Sequence, residues 1–326
     1  MSTMIQKLNR FITNPKIRFS YLNALGFYKH TPDDVFLKKA YKVNMGQELN
    51  LENPQTFNEK LQWLKLYNRK PEYTMMVDKY KVREYIAKEL GREYLIPLLG
   101  VWDDPDEIDF DALPDQFVLK CNHNSGLGMC ICKDKSKLDI EKVKRELRKG
   151  LAQDYYLTGR EWPYKDVPRK IICEKYMTDE TGTDLKEEDR ELADYKFFCF
   201  NGVPKFMYIS HDHAANATTD FFDMDFHRLD MRMKDPNSDI IPSRPVLFDS
   251  LKVIAEKLSA GIPFVRVDMY VVNGQIYFGE LTFFHNAGFT KVHPEQWEKT
   301  LGDWIDISQV LGCKKKGKDY VCKISK

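Results

Sequence analysis

Residues Arg266–Gly288, RVDMYVVNGQIYFGELTFFHNAG, hold the reading that decides the fold. Two β-branched and aromatic runs flank Asn273-Gly274. Asn-Gly between such runs is the strongest short-range hairpin signal, because both residues accept the positive φ of a type I′ turn. Each run carries one carboxylate, Asp268 and Glu280, in otherwise apolar company. A buried carboxylate is costly unless a positive group meets it, and two brought together by a hairpin repel each other. The pair is therefore expected to form half of a metal site. Strand alternation places Arg266 on the same face as Asp268.

Working outward, QFVLKC (116–121) and MCICK (129–133) read as strands around the small-residue loop NHNSGLG. RKIICEKYM (169–177) is a further strand, and YKFFCFNGVPKFMYISH (195–211) a second hairpin turning at Asn201-Gly202. Thr56-Phe57-Asn58-Glu59 has capping-box form and introduces an amphipathic helix. Helices are also expected over 78–91, closed by Gly91, from about Ile140 to Tyr156, over 247–261 and near 294–304. The first 50 residues read as short helices and turns punctuated by Pro15, Pro32 and Gly46, and 179–194 as an acidic solvated loop. Helices first, then hairpins mixed with helices, predict an α+β fold with antiparallel sheets.

Composition bounds the function. The chain has 326 residues, 43% hydrophobic and 30% charged, which suits a soluble globular protein of one to three structural units. A net charge of +1 excludes a dominant attraction to nucleic acid. No run approaches the roughly 18 apolar residues of a membrane span. The first 19 residues lack the apolar core and cleavage site of a signal peptide. Seven cysteines without paired spacing point to reduced thiols and a cytoplasmic location, with the inner face of the membrane as the further option. Lys7, Arg10, Lys16 and Arg18 alternate with Leu8, Phe11, Ile12 and Ile17, and Lys314, Lys315, Lys316, Lys318, Lys323 and Lys326 crowd the end. A packed helix and a solvated tail are the plain readings; contact with anionic lipid or an acidic polymer is the functional one.

The ordered set is more specific than any piece. Lys79 opens a helix, Lys120 ends a strand before Ser125-Gly126-Leu127-Gly128, and Glu174-Lys175-Tyr176-Met177 ends another. Asp194-Tyr195-Lys196 enters a hairpin, and Arg266, Asp268 and Glu280 follow. With FNEKLQWLKLY, VDKYKVREYI, FVLKCNHNSG and DYKFFCFNG, this order resembles the ATP-grasp superfamily. More narrowly it resembles the TupA-like branch, named for teichuronopeptide biosynthesis and found in bacterial surface-polysaccharide pathways, over roughly residues 55–300.

The resemblance implies two α+β subdomains whose antiparallel sheets clasp ATP: residues 76–177 with the glycine loop and 178–305 with the Mg²⁺ site. A helical segment (1–75) would precede them and a basic tail (306–326) would follow. Lys79 and Lys120 would hold phosphates under Ser125, Gly126 and Gly128. Glu174 and the backbone of Lys175 and Met177 would meet adenine, and Asp194 the ribose, with Lys196 near the phosphates. Arg266, with Lys120, would act on the transferring phosphoryl group, and Asp268 and Glu280 would bind Mg²⁺. The superfamily's further Asn ligand is replaced here by Thr282, with Asn286 as a substitute. The implied activity is ATP-dependent ligation of a carboxylate, on a small molecule or glycan such as a uronic acid or polyglutamate precursor, to an amine.

Rival readings remain. An ATP-grasp kinase would pass phosphate to a hydroxyl. A glycosyltransferase would use the D-x-D of Asp223 and Asp225, and a binding module would use no chemistry at all. His211-Asp212-His213, His123 and His285 are either substrate contacts or ordinary structural residues.

Overall fold

A computed structural model describes residues 4–178, 192, 194–211, 217–310, 313–316 and 319–322. Most of the acidic stretch 179–194, Asp212, His213, Lys318, Lys323 and Lys326 lie outside the described residues.

The chain divides into two compact units. The first gathers residues 1–69, 156–162 and 284–326. It contains α1 (Met4–Thr13), α2 (Pro15–Ala24), α3 (Asp33–Met45) and α4 (Phe57–Tyr67). Phe19, Phe36, Leu37, Tyr41 and Met45 form its core. Thr56 caps α4 as the sequence predicts, its hydroxyl accepting from Glu59 N while Glu59 reaches back to the cap backbone. The polar residues of α4 are buried rather than solvated. Asn58 and Glu59, Lys60 and Gln62, and Lys65 all lie below one-tenth exposure. Three of them, Lys60, Gln62 and Lys65, donate to backbone carbonyls at helix ends and in loops. Gln62 Nε2 donates to Gly288 O (2.7 Å), and Lys60 Nζ to Gly302 O (2.7 Å) and Ile305 O (2.8 Å). Lys65 Nζ reaches Gln62 Oε1 (2.9 Å), Gly159 O (2.7 Å) and Ala287 O (2.7 Å).

The second unit, residues 70–155 and 163–283, carries both larger sheets. Its helices are α5 (Glu72–Val77), α6 (Val82–Glu89) and α7 (Ile140–Ala152), the last ending four residues before the predicted Tyr156. Strands β1 (Leu98–Trp102), β2 (Phe117–Cys121), β3 (Met129–Cys132) and β4 (Ile171–Lys175) pair antiparallel in the order β1-β4-β2-β3. Alternation in β2 sends Phe117 and Leu119 into a core with Val143 and Leu147 of α7, and Cys121, on the same face, is buried with its Sγ 3.8 Å from Leu147 O. Val118 and Lys120 are left half-buried on the other face.

The five-stranded sheet is β7-β6-β5-β8-β9, all antiparallel, built from β5 (Asp194–Phe200), β6 (Val203–His211), β7 (Thr218–Asp223), β8 (Phe264–Val272) and β9 (Gln275–Thr282). Both Asn-Gly turns have the expected positive φ: Asn201 49° and Gly202 82°, Asn273 50° and Gly274 76°. A helix after β7, Phe248–Ser259, lies against this sheet: Phe197 meets Phe248 at 5.9 Å and Cys199 Sγ meets Ala255 O at 3.7 Å. The basic stretch read as a tail contributes two paired strands, Cys313–Lys316 and Asp319–Cys322.

Burial lowers the Lys65 ammonium to about 7, with Glu161 and Asp33 pulling it back up. An unfolded lysine titrates near about 10.4, so between these values the unfolded chain holds more protons and stability rises with pH. Lys65→Met removes the ammonium that serves Gly159 O and Gln62 Oε1 and one of the two donors to Ala287 O. It is expected to cost about 2–3 kcal/mol and to remove this slope, as measured by calorimetric melting from neutral to alkaline pH. An unchanged slope would refute the assignment.

Candidate active site

A cleft of about 790 Å³ opens within the second unit. On one side it is lined by the open face of β2, β3 and β4, and on the other by β5, β8 and β9. It gathers most of the residues named from sequence: Lys79, Lys120, Ser125, Gly126, Glu174, Lys175, Met177, Asp194, Lys196, Asp268 and Glu280.

The wall on the five-stranded sheet is set by pairing register. Lys196 lies opposite Asp268, and Asp268 opposite Glu280, so these three occupy one row and one face. A bulge-free hairpin would not do this. From Val272↔Gln275 to Met269↔Phe278 the pairing is unbroken, and its continuation would set Asp268 against Gly279. A bulge after Met269 makes Gly279 the extra residue and brings Glu280 to Asp268. The same shift puts Thr282 opposite Arg266.

The cation between the carboxylates is Arg266. Its Nε meets Asp268 Oδ1 at 2.7 Å, and its terminal nitrogen meets Asp268 Oδ2 at 2.5 Å and Glu280 Oε1 at 3.1 Å. Lys196 Nζ adds a 3.0 Å contact to Asp268 Oδ2 and pairs with Asp194 as well. Burial works against the charge on Arg266, but neighbouring Asp268 more than offsets it and holds the guanidinium well above its usual value. Burial likewise opposes the Asp268 anion, yet Arg266 and Lys196 hold that carboxyl below its usual range. Thr282 Oγ1 lies 3.0 Å from Glu280 Oε1. Two carboxylates and a hydroxyl are the hard oxygen donors that Mg²⁺ takes, so the donor set fits that ion. Asp194 Oδ1 is buried with no hydrogen-bond partner among the described residues, an acceptor left for a ligand hydroxyl.

On the opposite wall, Glu174 is clasped by Lys120 (2.6 Å) and Arg83 (3.1 Å). Arg83 was not singled out from sequence; its one signal was a place on the helix that follows Lys79. The Lys175 amide donates to Pro97 O (2.9 Å), so a base would have to use the Lys175 carbonyl. Met129 and Ile131 are half-exposed and line the cleft beside Val118, an apolar bed for a flat ring. These two were also missed, since an apolar residue on a strand announces no ligand.

The loop after β2 is held from beneath. Asn122 Nδ2 donates to Asp78 Oδ1 and Pro168 O, both at 2.8 Å. Lys79 Nζ donates to Asn124 O (2.6 Å) and lies 3.9 Å from Glu280. Burial lowers the Lys79 pKa, with Glu280 opposing. Ser125, Gly126 and Leu127 stand exposed at the tip, whereas Gly128 (φ 71°) is buried against α7. A Cβ on Gly128 would stand 2.8 Å from Gly150 Cα, so this glycine serves a close approach of loop to helix.

Other candidates stand apart from the cleft lining. Asp223 Oδ1 accepts from Asp225 N and His227 N, tying the D-x-D into its own turn. His123 Nε2 lies 3.1 Å from Gln153 O, and burial lowers its pKa. His285 and Asn286 belong to the first unit, where the Asn286 amide meets His285 Nε2 at 3.1 Å.

Gly279→Ala tests the bulge. Its Cβ would stand 2.9 Å from Asp268 O and 3.1 Å from the Tyr270 ring. The variant is expected to lose about 1–3 kcal/mol of stability and at least about tenfold in Mg²⁺-dependent ATP affinity by calorimetry. Affinity equal to wild type would show the bulge is dispensable.

No curated protein matches the chain in sequence. Among solved structures, the d-alanine–d-alanine ligase of Bacillus anthracis, complexed with ATP, is 16% identical with a TM-score of 0.39, covering 64% of this chain and 55% of that one. The chain thus spans little more than half of that enzyme. The Helicobacter pylori counterpart is 14% identical, with a TM-score of 0.41 and coverages of 76% and 69%. The ATP-grasp ligase PsnB, complexed with minimal precursor, Mg and ADP, is 11% identical, with a TM-score of 0.36 and coverages of 80% and 65%. The TupA-like ATP-grasp description matches residues 59–306, a span that contains both cleft walls, the glycine loop and the Arg266–Asp268–Glu280 row, and the chain belongs to that family.

Proposed function

We propose that the chain is an ATP-dependent carboxylate–amine ligase that forms an amide on a surface-polysaccharide precursor, such as a uronic acid, or on a polyglutamate precursor. The observation that carries this reading is the row Lys196–Asp268–Glu280 with Arg266 bridging its carboxylates, facing Lys79 and Lys120 in one cleft. Membership of the ATP-grasp family supports ATP as the nucleotide.

In this reading the acceptor carboxylate attacks the γ-phosphorus of ATP, and ADP leaves with the electrons of the broken P–O bond. The amine then attacks the acyl carbon, phosphate departs, and the nitrogen loses a proton. No side-chain nucleophile is required; the protein supplies position and charge. Lys79 and Lys120 offer point charges for phosphate oxygens, and the Ser125–Gly126 tip offers backbone N–H groups. Asp194 Oδ1 accepts from the ribose, and Met129 and Ile131 bed the base. Arg266 turns part of its fork from Glu280 to the transferring phosphoryl group, where a planar guanidinium matches the developing charge. Mg²⁺, held by Asp268 and Glu280 with Thr282 alongside, would supply neutralisation of the terminal phosphates.

Asp268→Asn is expected to lower Mg²⁺-dependent turnover by at least about a hundredfold with the fold intact; turnover like wild type would exclude the metal role. Lys120→Ala is expected to weaken ATP binding by about tenfold. An ADP-release screen pairing uronic acids with amines, read by mass spectrometry, is expected to give an amide. A phosphoester product would make the protein a kinase, and preference for a nucleotide sugar over ATP would make it a glycosyltransferase.

A further inference from the structure

An exposed surface of unusual composition lies on α1, α2 and the residues just after them, far in sequence from the cleft residues. Five of the chain's 50 basic residues, Lys7, Arg10, Lys16, Arg18 and Lys29, fall in the first 32 positions, and none of its 49 acidic residues does. The whole chain is nearly neutral, so this segment concentrates positive charge that the rest does not share.

The same segment exposes large apolar side chains. Ile12 is 60% exposed, Tyr21 59%, Leu25 69% and Phe27 71%. They are not the loose ends of a packed core. Phe19 on α2 stacks on Tyr28 at 5.0 Å and meets Phe36 at 5.5 Å, so the inward side of α2 is already satisfied. Arg18, Tyr21 and Leu25, at helical spacing of three and four, lie on the outward side. The two helices act together there. Phe11 meets Tyr21 edge to face at 5.7 Å, and an Arg18 guanidinium nitrogen donates to Ile12 O at 2.9 Å. Arg18, Tyr21 and Leu25 thus mix a cation with apolar groups on one side of α2, and Arg10, Lys16 and Phe27 are exposed in the same segment.

We infer that this face docks on an anionic phospholipid surface. A soluble polyanion would account for the cations but gives Leu25 and Phe27 nothing to bury in. A second copy of the chain would cover the apolar groups but bring two sets of like charges together. A neutral bilayer would leave the charge unused. Only an anionic bilayer meets both halves, lysines and arginines at the headgroups and aromatic and aliphatic tips below them. This inference is independent of the reaction in the cleft.

The full chain is tested by co-sedimentation with vesicles of phosphatidylcholine, alone or with about a third phosphatidylglycerol. Wild type is expected to bind the anionic vesicles at least about tenfold more tightly, and less so as salt rises. Leu25→Ser with Phe27→Ser keeps every charge and is expected to lose about tenfold or more. Arg10→Glu with Lys16→Glu keeps every apolar group and is expected to abolish the preference for anionic vesicles. Melting curves and ATP binding should be unchanged in both. A Phe27→Trp probe, which leaves the face intact, is expected to shift its emission to the blue on anionic vesicles only. Equal binding to both vesicle types by wild type would overturn the inference. So would undiminished binding by the serine pair, which would leave a polyanion site, or a solution dimer that the serine pair dissociates, which would make the face a contact between copies.

Discussion

The guanidinium of Arg266 holds the second unit's chemistry in place. Two acidic groups face each other across a hairpin, and Asp268, almost wholly buried, could not remain ionised there without a partner. Arg266 gives both oxygens of Asp268 a hydrogen bond and still reaches Glu280. A planar fork with several donors can do this where an ammonium could not. Because Lys196 and Lys79 stand beside the same carboxylates, the site carries its own counter-charge before any ligand arrives.

Much of this was legible in the residue order. Asn201-Gly202 and Asn273-Gly274 announced their turns because few residues tolerate two consecutive positive φ values. Thr56 and Glu59 announced the start of α4, since their mutual hydrogen bonds are local. The carboxylate pair also demanded positive charge, and Arg266, two residues away on the same strand, supplies part of it.

What stayed hidden depends on partners distant in sequence. The hairpin rule alone sets Asp268 against Gly279, and nothing in GQIYFGEL announces an extra residue. β1, with Gly100 in its middle, and β7, with two aspartates, lack a clean alternation and were not read as strands. Glycines 126 and 128 look alike in the sequence, yet one stands at an exposed tip and the other is pressed on a helix. The polar side chains of α4 would ordinarily mark a solvated face; here they point into the unit and serve backbone carbonyls distant in sequence.

The single unpaired residue in β9 gives the hairpin a kind of parity. Because side chains alternate with a period of two, the face on which Glu280 emerges depends on whether the count from the turn is odd or even. Losing Gly279 itself would remove the bulge, restore the unbroken pairing and still set the glutamate opposite Asp268. Losing another residue of this segment while the bulge is kept would instead set the glutamate opposite Met269, on the helix-covered side. The length of this segment and the presence of the bulge can therefore change together but not separately.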